Sequence, residues 1–231
     1  MLHLLRNGTL TLDARLPDSS NASFCATVRG PDAAIPCVYK PIAGERPLRD
    51  FPDGTLAYRE VAAWLVSEAT PWGVVPPTVL RDGPYGEGAV QLWIDVDEAV
   101  DVVELVSAGD ARLRAIALFD AVVNNTDRKG SHLLVTPSGH VYGVDHGITF
   151  SAEPKLRTVL WGWRGQPFSA DEALALDALR RDLARGLGRD LRRLLDRSEV
   201  DATAARVAGL LAAGTFPFPN PDWPAVPWPP F

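Results

Sequence analysis

The sequence predicts an α+β fold, with a small antiparallel-sheet part followed by a mostly helical part. Three observations lead to this prediction. Short apolar segments separated by turn residues fill the chain up to residue 94 and are typical of strands. Apolar residues at helical spacing dominate from residue 100 to residue 213. With 231 residues, of which 46% are hydrophobic, the chain can bury one substantial core or two lobes that share a cleft.

The strand-rich part contains one predicted helix. Tyr58, Val61, Ala62 and Leu65 recur at helical spacing, and the helix is expected to end near Glu68 because prolines follow it. The last strand of this part is expected to lead into the connection between the two parts of the molecule. The predicted strands cover residues 9–16, 22–29, 35–40, 79–81 and 89–94.

The second part is predicted to be helical up to residue 213 and extended beyond it. Its last 16 residues, FPFPNPDWPAVPWPPF, alternate prolines with aromatic residues and favour a polyproline-like chain. We expect this tail to pack along its own domain, and the alternative is a free peptide for a proline-binding partner. The predicted helices of the whole chain cover residues 56–68, 100–106, 111–123, 169–187, 189–197 and 198–213.

Composition limits the classes of partner and compartment. A net charge of −6 and a pI near 5.2, with no evident basic face, argue against nucleic acid as the main partner. Cys25 and Cys37 lie in predicted strands and are expected to be buried free thiols of a reducing compartment. The N-terminal MLHLLRNG is too short and too polar for a secretory signal, and no apolar run is long enough to span a membrane. We therefore expect a cytoplasmic protein without integral membrane association.

The most informative segment runs from Phe119 to Phe150, FDAVVNNTDRKGSHLLVTPSGHVYGVDHGITF. Residues 133–135 and 141–144 are predicted to pair as a hairpin across the turn Thr-Pro-Ser-Gly. Because a hairpin returns the chain to its starting point, Asp145 is expected beside the loop that carries Asn125, Asp127 and His132. Asp120, at the end of the preceding helix, is expected to tether that loop.

This convergence matches the requirements of metal-assisted phosphoryl transfer. Such chemistry needs one carboxylate near the attacking hydroxyl, a second on the divalent metal, and a polar side chain that completes the metal shell. Asp127, Asp145 and His132 are the candidates for these three roles. The plain alternative is that Asn-Asn-Thr-Asp and Asp-His-Gly are ordinary turn sequences.

The loop resembles the catalytic and metal-binding loops of the phosphatidylinositol 3-/4-kinase superfamily. The resemblance rests on Asp127-Arg128 after an asparagine-rich approach, a ligand position five residues after Asp127, and Asp145-His146-Gly147 in the place of the Asp-Phe-Gly of protein kinases. The runs VYKPIAGERPLRDFPDGTLAYRE, VDHGITF and KLRTVLWGW are similar to a compact, mostly actinobacterial family of kinase-like proteins of uncharacterised role.

The resemblance implies a protein-kinase-like two-lobe fold that binds ATP together with Mg²⁺ or Mn²⁺. The implied units are an N-lobe (1–94), a C-lobe (95–215) and a C-terminal tail (216–231). Asp127 would act on the acceptor hydroxyl and Lys129 would neutralise charge on the γ-phosphate. His132 and Asp145 would bind the metal.

Further residues are expected at the nucleotide. Lys40, at the end of the strand CVYK, is expected to reach the phosphates, oriented by Glu60 of the following helix; the alternatives are a solvated lysine and a surface ion pair. Neither GxGxxG nor GxxxxGK[ST] is present, and the run from Ser19 to Phe24 is the substitute, in which Ser20 and Asn21 would contact phosphate oxygens unless this is a simple hairpin turn. Side chains expected to sandwich the base, or else to be plain core, are those of Leu92, Trp93 and Ile94.

Other outcomes stay open at this stage. A module that binds nucleotide or another partner without turnover would share these residues, and so would a transferase that moves the nucleotide instead of the phosphate. Lys155 and Arg157 are candidates for holding an acidic or phosphorylated substrate. The sequence specifies neither the acceptor nor the oligomeric state. Because His132 stands where the resembling superfamily has asparagine, Mn²⁺ is expected to serve at least as well as Mg²⁺.

Overall fold

A computed structural model describes residues 1–17 and 20–231 and shows an α+β protein. Five strands form one antiparallel sheet and two further strands form a separate hairpin. The strands are β1 (Thr9–Arg15), β2 (Phe24–Arg29), β3 (Ala34–Pro41), β4 (Thr78–Gly83), β5 (Gly86–Leu92), β6 (Leu133–Val135) and β7 (Val141–Gly143). The α-helices are α1 (Leu2–Asn7), α2 (Leu56–Glu68), α3 (Val102–Ser107), α4 (Arg114–Val123), α5 (Ala170–Leu183), α6 (Gly186–Leu191) and α7 (Arg197–Ala213).

The order of strands in the five-stranded sheet is β1-β2-β3-β5-β4, with each neighbouring pair antiparallel. Successive side chains of a strand point to opposite faces. On β3, Cys37 and Tyr39 are therefore buried in the sheet's own core, while Val38 and Lys40 point into a cavity on the other face. Both cysteines are free thiols as predicted, but only Cys37 is buried, and Cys25 is partly exposed.

Helix α1 was not predicted. Its Leu5 is fully buried against the sheet, and the Arg81 side chain donates to the carbonyls of Leu5 and Gly8, at 2.9 and 2.8 Å. A helix this short is unstable alone, so contacts with the sheet determine it. That arginine satisfies one terminal carbonyl of α1, at Leu5, and the carbonyl of Gly8 just beyond the helix.

Helix α2 lies between the sheet and the helical part. Ten of its 13 residues are buried, including the charged Arg59 and Glu60. Two apolar faces account for this burial, since Ala57 and Val61 contact the sheet side while Ala62 and Val66 join the main core. Its start agrees closely with the prediction from helical spacing.

The helical part surrounds the largest core. Leu118 and Phe119 of α4, Leu176 and Leu179 of α5, and Val207 of α7 are fully buried in it. Ser169 and Asp196 cap α5 and α7 through capping boxes with glutamates three residues later, as sequence patterns of this type predict. No helix among the described residues is both long and apolar enough to cross a membrane.

The tail beyond α7 follows the surface of the molecule without regular structure, as predicted. Ala225 accepts hydrogen bonds from the backbone of Thr158 at 3.0 Å and from the indole of Trp161 at 2.8 Å. Further along, the carbonyl of Pro230 accepts from the Gly130 N–H at 2.8 Å. The tail therefore packs along its own domain and ends beside the loop that precedes β6.

Candidate functional site

The hairpin β6–β7 brings the predicted site residues together. Leu133 pairs with Gly143 at its open end, and the Val144 N–H donates to the His132 carbonyl at 3.0 Å. This pairing places Asp145 next to the loop that carries Asp127. The His132 Nε2 and an Asp145 carboxylate oxygen are 3.5 Å apart. The convergence expected from the hairpin is thus present.

Lys40 lies at the centre of the site. Its ammonium group donates to Glu60 in a very short contact and to Asp145 at 3.1 Å. The second oxygen of Glu60 accepts from the His146 N–H at 3.1 Å. Glu60 is 2% exposed, so it is not a surface partner but a buried link between β3 and the residues after β7.

Burial and charge act in opposite directions on this cluster. Burial by itself would lower the pKa of Lys40, but Asp145 and Glu60 raise that pKa above its usual range. Lys40 in turn holds the pKa of Asp145 well below its usual range. At neutral pH the site therefore contains a fixed ammonium and a fixed carboxylate, which suits charge stabilisation rather than proton exchange.

A polar cavity of about 240 Å³ occupies the space in front of Lys40. It contains eight of the predicted site residues and also the end of the tail, at Pro229 and Phe231. Ser19, the first residue of the predicted phosphate-contacting run, lies outside the described residues. The predicted residues that line this cavity are Ser20, Asn21, Lys40, Glu60, Asp127, Lys129, His132 and Asp145.

A second cavity, of about 630 Å³, adjoins the first and shares Ser23, Lys40, His132 and Asp145 with it. Its size is within the range of small-molecule sites. All three residues predicted to enclose a base line it, although only Leu92 belongs to β5, and the partly exposed Trp93 and Ile94 follow the strand. The predicted strand over 89–94 thus begins three residues too late and ends two too late.

Asp127 is held by two cations. Its Oδ1 is 3.3 Å from the Arg157 guanidinium and its Oδ2 is 3.1 Å from the Lys129 ammonium. The Asp127 N–H donates to the Asn125 side chain at 3.0 Å, which sets the loop conformation. Asn21 also has a structural contact, since its side-chain oxygen accepts from the Arg46 N–H at 2.8 Å.

Arg128 is a site residue to which the sequence analysis assigned no role. It is fully buried, donates to Asp120 at 2.9 Å and to the Val144 carbonyl at 2.8 Å, and contacts His146 at 2.6 Å. Asp120 also accepts from Asn125 at 3.0 Å, so it tethers the loop as expected. The sequence signal that could have revealed the role of Arg128 is Asp120, an aspartate in the apolar run FDAVV, because a buried carboxylate requires a cationic partner.

Backbone conformation contributes to the placement of these groups. Asp145 has φ 62° and Asn124 has φ 52°, in the left-handed region that ordinary residues rarely adopt. Such conformations persist where surrounding contacts enforce them, often at functional sites. For Asn124, those contacts are bonds from its side chain to the Ser151 and Glu153 carbonyls at 2.9 and 2.6 Å.

Lys155 and Arg157, the candidates for holding an acidic or phosphorylated substrate, are both engaged by groups of the protein itself. Lys155 is 9% exposed, pairs with Asp50 and Glu153 at 3.2 and 2.9 Å, and lies over the Trp223 ring. Arg157 donates to the Thr126 carbonyl at 2.7 Å in addition to its contact with Asp127. Both cations are engaged in internal contacts that a sequence pattern does not reveal.

The polar cavity offers two neighbouring donors to a divalent cation, His132 and Asp145. Among residues 1–17 and 20–231, no group of three or more His, Cys, Asp and Glu side chains is arranged to hold a metal ion. His132 and Asp145 supply two neighbouring donors, and Mg²⁺ at nucleotide sites takes its remaining ligands from phosphates and water. Burial lowers the pKa of His132, which keeps its ring in the neutral form that binds metals.

The fold and this geometry define an α+β protein with a two-compartment cavity between its sheet and its helical part, and with a lysine where the compartments meet. No protein-family model matches the chain. It is 40% identical, over an alignment 264 positions long, to Protein Rv2133c of Mycobacterium tuberculosis (strain ATCC 25618 / H37Rv). The alignment covers 99% of this chain and 94% of that protein. The chain therefore belongs to the family of Protein Rv2133c.

Proposed function

We propose that this protein is an ATP-dependent phosphotransferase with a protein-kinase-like two-lobe fold, which transfers the γ-phosphoryl group to a hydroxyl with the help of Mg²⁺ or Mn²⁺. One observation carries the proposal. The Lys40 ammonium, held by Glu60 and Asp145, lies where a cavity bordered by apolar side chains meets a smaller polar one. A nucleotide needs this combination, since its base is flat and largely apolar while its phosphates are anionic.

Each residue then has a role that follows from its position. The side chains of Leu92, Trp93 and Ile94 enclose the base, and Lys40 binds the phosphates as a permanent point charge. Ser20 and Asn21 border the polar compartment on the sheet side and approach the phosphates from there.

The reacting end of the nucleotide lies in the polar compartment. Asp127 orients the acceptor hydroxyl and accepts its proton, and Lys129, 3.1 Å from Asp127, neutralises charge that develops on the γ-phosphate. His132 and Asp145 hold the divalent cation, which when bound neutralises phosphate charge. Both groups are in the protonation state that this role requires, because His132 is neutral and Asp145 is ionised.

Nucleotide binding is tested first by thermal unfolding with ATP and Mn²⁺. A ligand at a hundred times its Kd stabilises the folded state by about 2.7 kcal/mol, and Lys40→Met should abolish most of that gain. Lys155→Met is the matched control, because Lys155 is a buried, ion-paired lysine outside both cavities. If ATP does not stabilise the wild-type protein at any accessible concentration, the proposal is wrong.

Turnover is tested by ADP release and by transfer of label from γ-labelled ATP. Asp127→Asn should abolish transfer and retain nucleotide binding, whereas Asp145→Asn should abolish transfer and weaken metal-dependent binding. Transfer of label from α-labelled ATP would instead indicate a nucleotidyltransferase, which the same residues would also support.

A nucleotide-binding protein without turnover is the second candidate. The observation in its favour is that both oxygens of Asp127 are engaged by cations, so an acceptor hydroxyl has to displace one of these contacts. Stabilisation by ATP in the absence of ADP release and of label transfer would favour this candidate.

A further inference from the structure

The C-terminus of the chain lies in the polar cavity. Pro229 and Phe231 line it together with Asp127, Lys129 and Ser131. Besides the hydrogen bond between Gly130 and Pro230, the Phe231 ring lies directly against Gly130, where an added Cβ would overlap the ring. The tail end therefore covers one side of the loop that carries Asp127 and Lys129.

The cavity has little room for an additional group. Its volume of about 240 Å³ is below the roughly 300–1,000 Å³ of ordinary ligand sites, and the phosphates of a nucleotide would fill much of it. A cavity of about 350 Å³, lined by Val100, Val102 and Val103 among others, begins on the other side of the same ring. Phe231 and Ser131 border both cavities, so the ring separates the polar cavity from this open groove.

The tail cannot itself accept a phosphoryl group. No serine, threonine or tyrosine occurs from Phe216 to Phe231. Its final contacts are also limited, because the Phe231 side chain is 44% exposed. The firmer attachment is further back, at Ala225 and Trp223. The last residues are thus attached by fewer contacts than the segment before them.

We propose that the acceptor-binding site is the space now taken by Pro229, Pro230 and Phe231, and that these residues are a hydroxyl-free occupant which an acceptor must displace. This inference rests on the proposed function for the identity of the reaction. Whatever the reaction is, the tail end limits access to Asp127 and Lys129. The tail must open before an acceptor binds, so the turnover rate is proportional to the fraction of molecules in which the tail is open.

Two variants open the site in independent ways. Phe231→Ala removes the ring, and Gly130→Ala displaces the ring without altering the tail. Phe218→Ala is the matched control, since it removes a tail phenylalanine that is 69% exposed and lines none of these cavities. Because Gly130 is next to Lys129, Gly130→Ala alone could change the reactivity of Lys129 directly, so the two variants should give the same change in rate. If Gly130→Ala does not fold, Phe231→Ala alone tests the proposal.

Two measurements are made on the whole chain and its variants. The first is ADP release with ATP and Mn²⁺, in which water serves as the acceptor and the products are ADP and inorganic phosphate. The second is the rate at which a small amine-reactive ester acylates Lys129, read by mass spectrometry; the chain has only three lysines, so the sites are resolved easily. Both rates should rise by up to ~10-fold if the open state is a minor population of about a tenth.

The outcomes separate this inference from the proposed function. Faster acylation and faster ADP release in the opening variants, with the control unchanged, support both. Faster acylation without any ATP binding by the wild type overturns the phosphotransferase but supports the tail as a cover of the cavity. Unchanged acylation, or acylation that rises while ADP release falls, overturns the inference, because the tail would then be a fixed wall or a part of the active arrangement.

Discussion

His146 is a buried, neutral histidine whose ring is fixed by its neighbours. Arg128 can only donate, so His146 Nε2 must accept at 2.6 Å and the ring proton must be on Nδ1. Nδ1 is buried and has no partner among the described residues. Burial first, and then the charges of Arg128 and Lys40, place the pKa of His146 well below its usual range. The site therefore contains a histidine that resists protonation.

This arrangement predicts a loss of stability in mild acid. As the pH falls through about 6.5, an unfolded histidine binds a proton that folded His146 does not, so the unfolded state binds more protons and the unfolding free energy falls by up to ~1.4 kcal/mol per pH unit. The pKa of His132 is lowered too and contributes with the same sign. This loss of unfolding free energy begins at a pH above the range in which carboxylates titrate.

Urea denaturation at about pH 7 and about pH 5 measures this loss. In His146→Phe, whose ring can keep the edge-on packing against Phe119, the loss should be smaller than in the wild type, because the contribution of His146 is then absent. His140→Gln, at an exposed position, is the control and should behave as the wild type. An equal loss in His146→Phe would show that the pH dependence arises elsewhere.

His132 predicts the choice of metal. Mg²⁺ prefers oxygen ligands, whereas Mn²⁺ accepts imidazole more readily. ATP affinity and ADP release should therefore be at least as high with Mn²⁺ as with Mg²⁺. His132→Asn, which supplies an amide oxygen, should shift the ratio towards Mg²⁺. A strict preference of the wild type for Mg²⁺, unchanged by the substitution, would exclude His132 as a ligand.

At the scale of elements, the hairpin β6–β7 depends on a glycine. A Cβ at Gly143 would lie 2.9–3.1 Å from the guanidinium atoms of Arg128, which is bonded to Asp120 and cannot move freely. Gly143→Ala should therefore lower the unfolding free energy by about 1–3 kcal/mol, as overpacking of a filled interior does.

A second glycine supplies the control for Gly143→Ala. Gly209 is an exposed residue in the interior of α7, and an added Cβ meets nothing within 4 Å. Gly209→Ala should raise the unfolding free energy by up to about 1 kcal/mol through helix propensity. If denaturation shows both substitutions shifting stability in the same direction, the contact with Arg128 is not the constraint proposed for Gly143.

Local patterns predicted most elements but not the contacts of irregular segments. The hairpin and α2 were predicted within one residue at each end, because alternation, helical spacing and flanking turn residues all agreed. Helix α1 has too few residues for a period to show. The destination of the tail is also invisible in sequence, since prolines and aromatics favour extended chain and do not specify the surface on which it packs.

In the site, too, some features follow from local sequence patterns and others depend on the whole fold. The convergence of Asp127 and Asp145 follows from hairpin geometry, which sequence reveals. The pairing of Lys40 with Glu60 was expected from the resemblance, and the two side chains are in contact in the structure. The network of Arg128 and the internal pairing of Lys155 depend on burial, and burial of a charged residue is decided by the whole fold.

At the scale of the molecule, helix α2 connects the sheet to the helical part through two adjacent charged residues. Glu60 contacts Lys40 of β3 and the backbone of His146. Arg59, 1% exposed, pairs with Glu199 of α7 at 2.8 Å and donates to the Thr149 carbonyl at 2.8 Å. The position of Glu60 in the site therefore depends on how Arg59 anchors the helix.

Arg59→Met tests this coupling. The substitution leaves Glu199 buried without its partner, and loss of one member of a buried ion pair costs about 3–5 kcal/mol of unfolding free energy. ATP affinity should also fall, because α2 loses an anchor next to Glu60.

Tyr58→Phe is the matched control on the same helix and removes one exposed hydrogen bond to Glu87, at a cost of about 1 kcal/mol or less. The double variant Arg59→Met with Glu199→Leu should regain part of the stability but not the ATP affinity, since no unpaired charge then remains although the capping bond from the Asp196 N–H to Glu199 is lost. Urea denaturation and calorimetric titration measure the two quantities. Recovery of both in the double variant would show that α2 carries no coupling between Arg59 and the proposed nucleotide site.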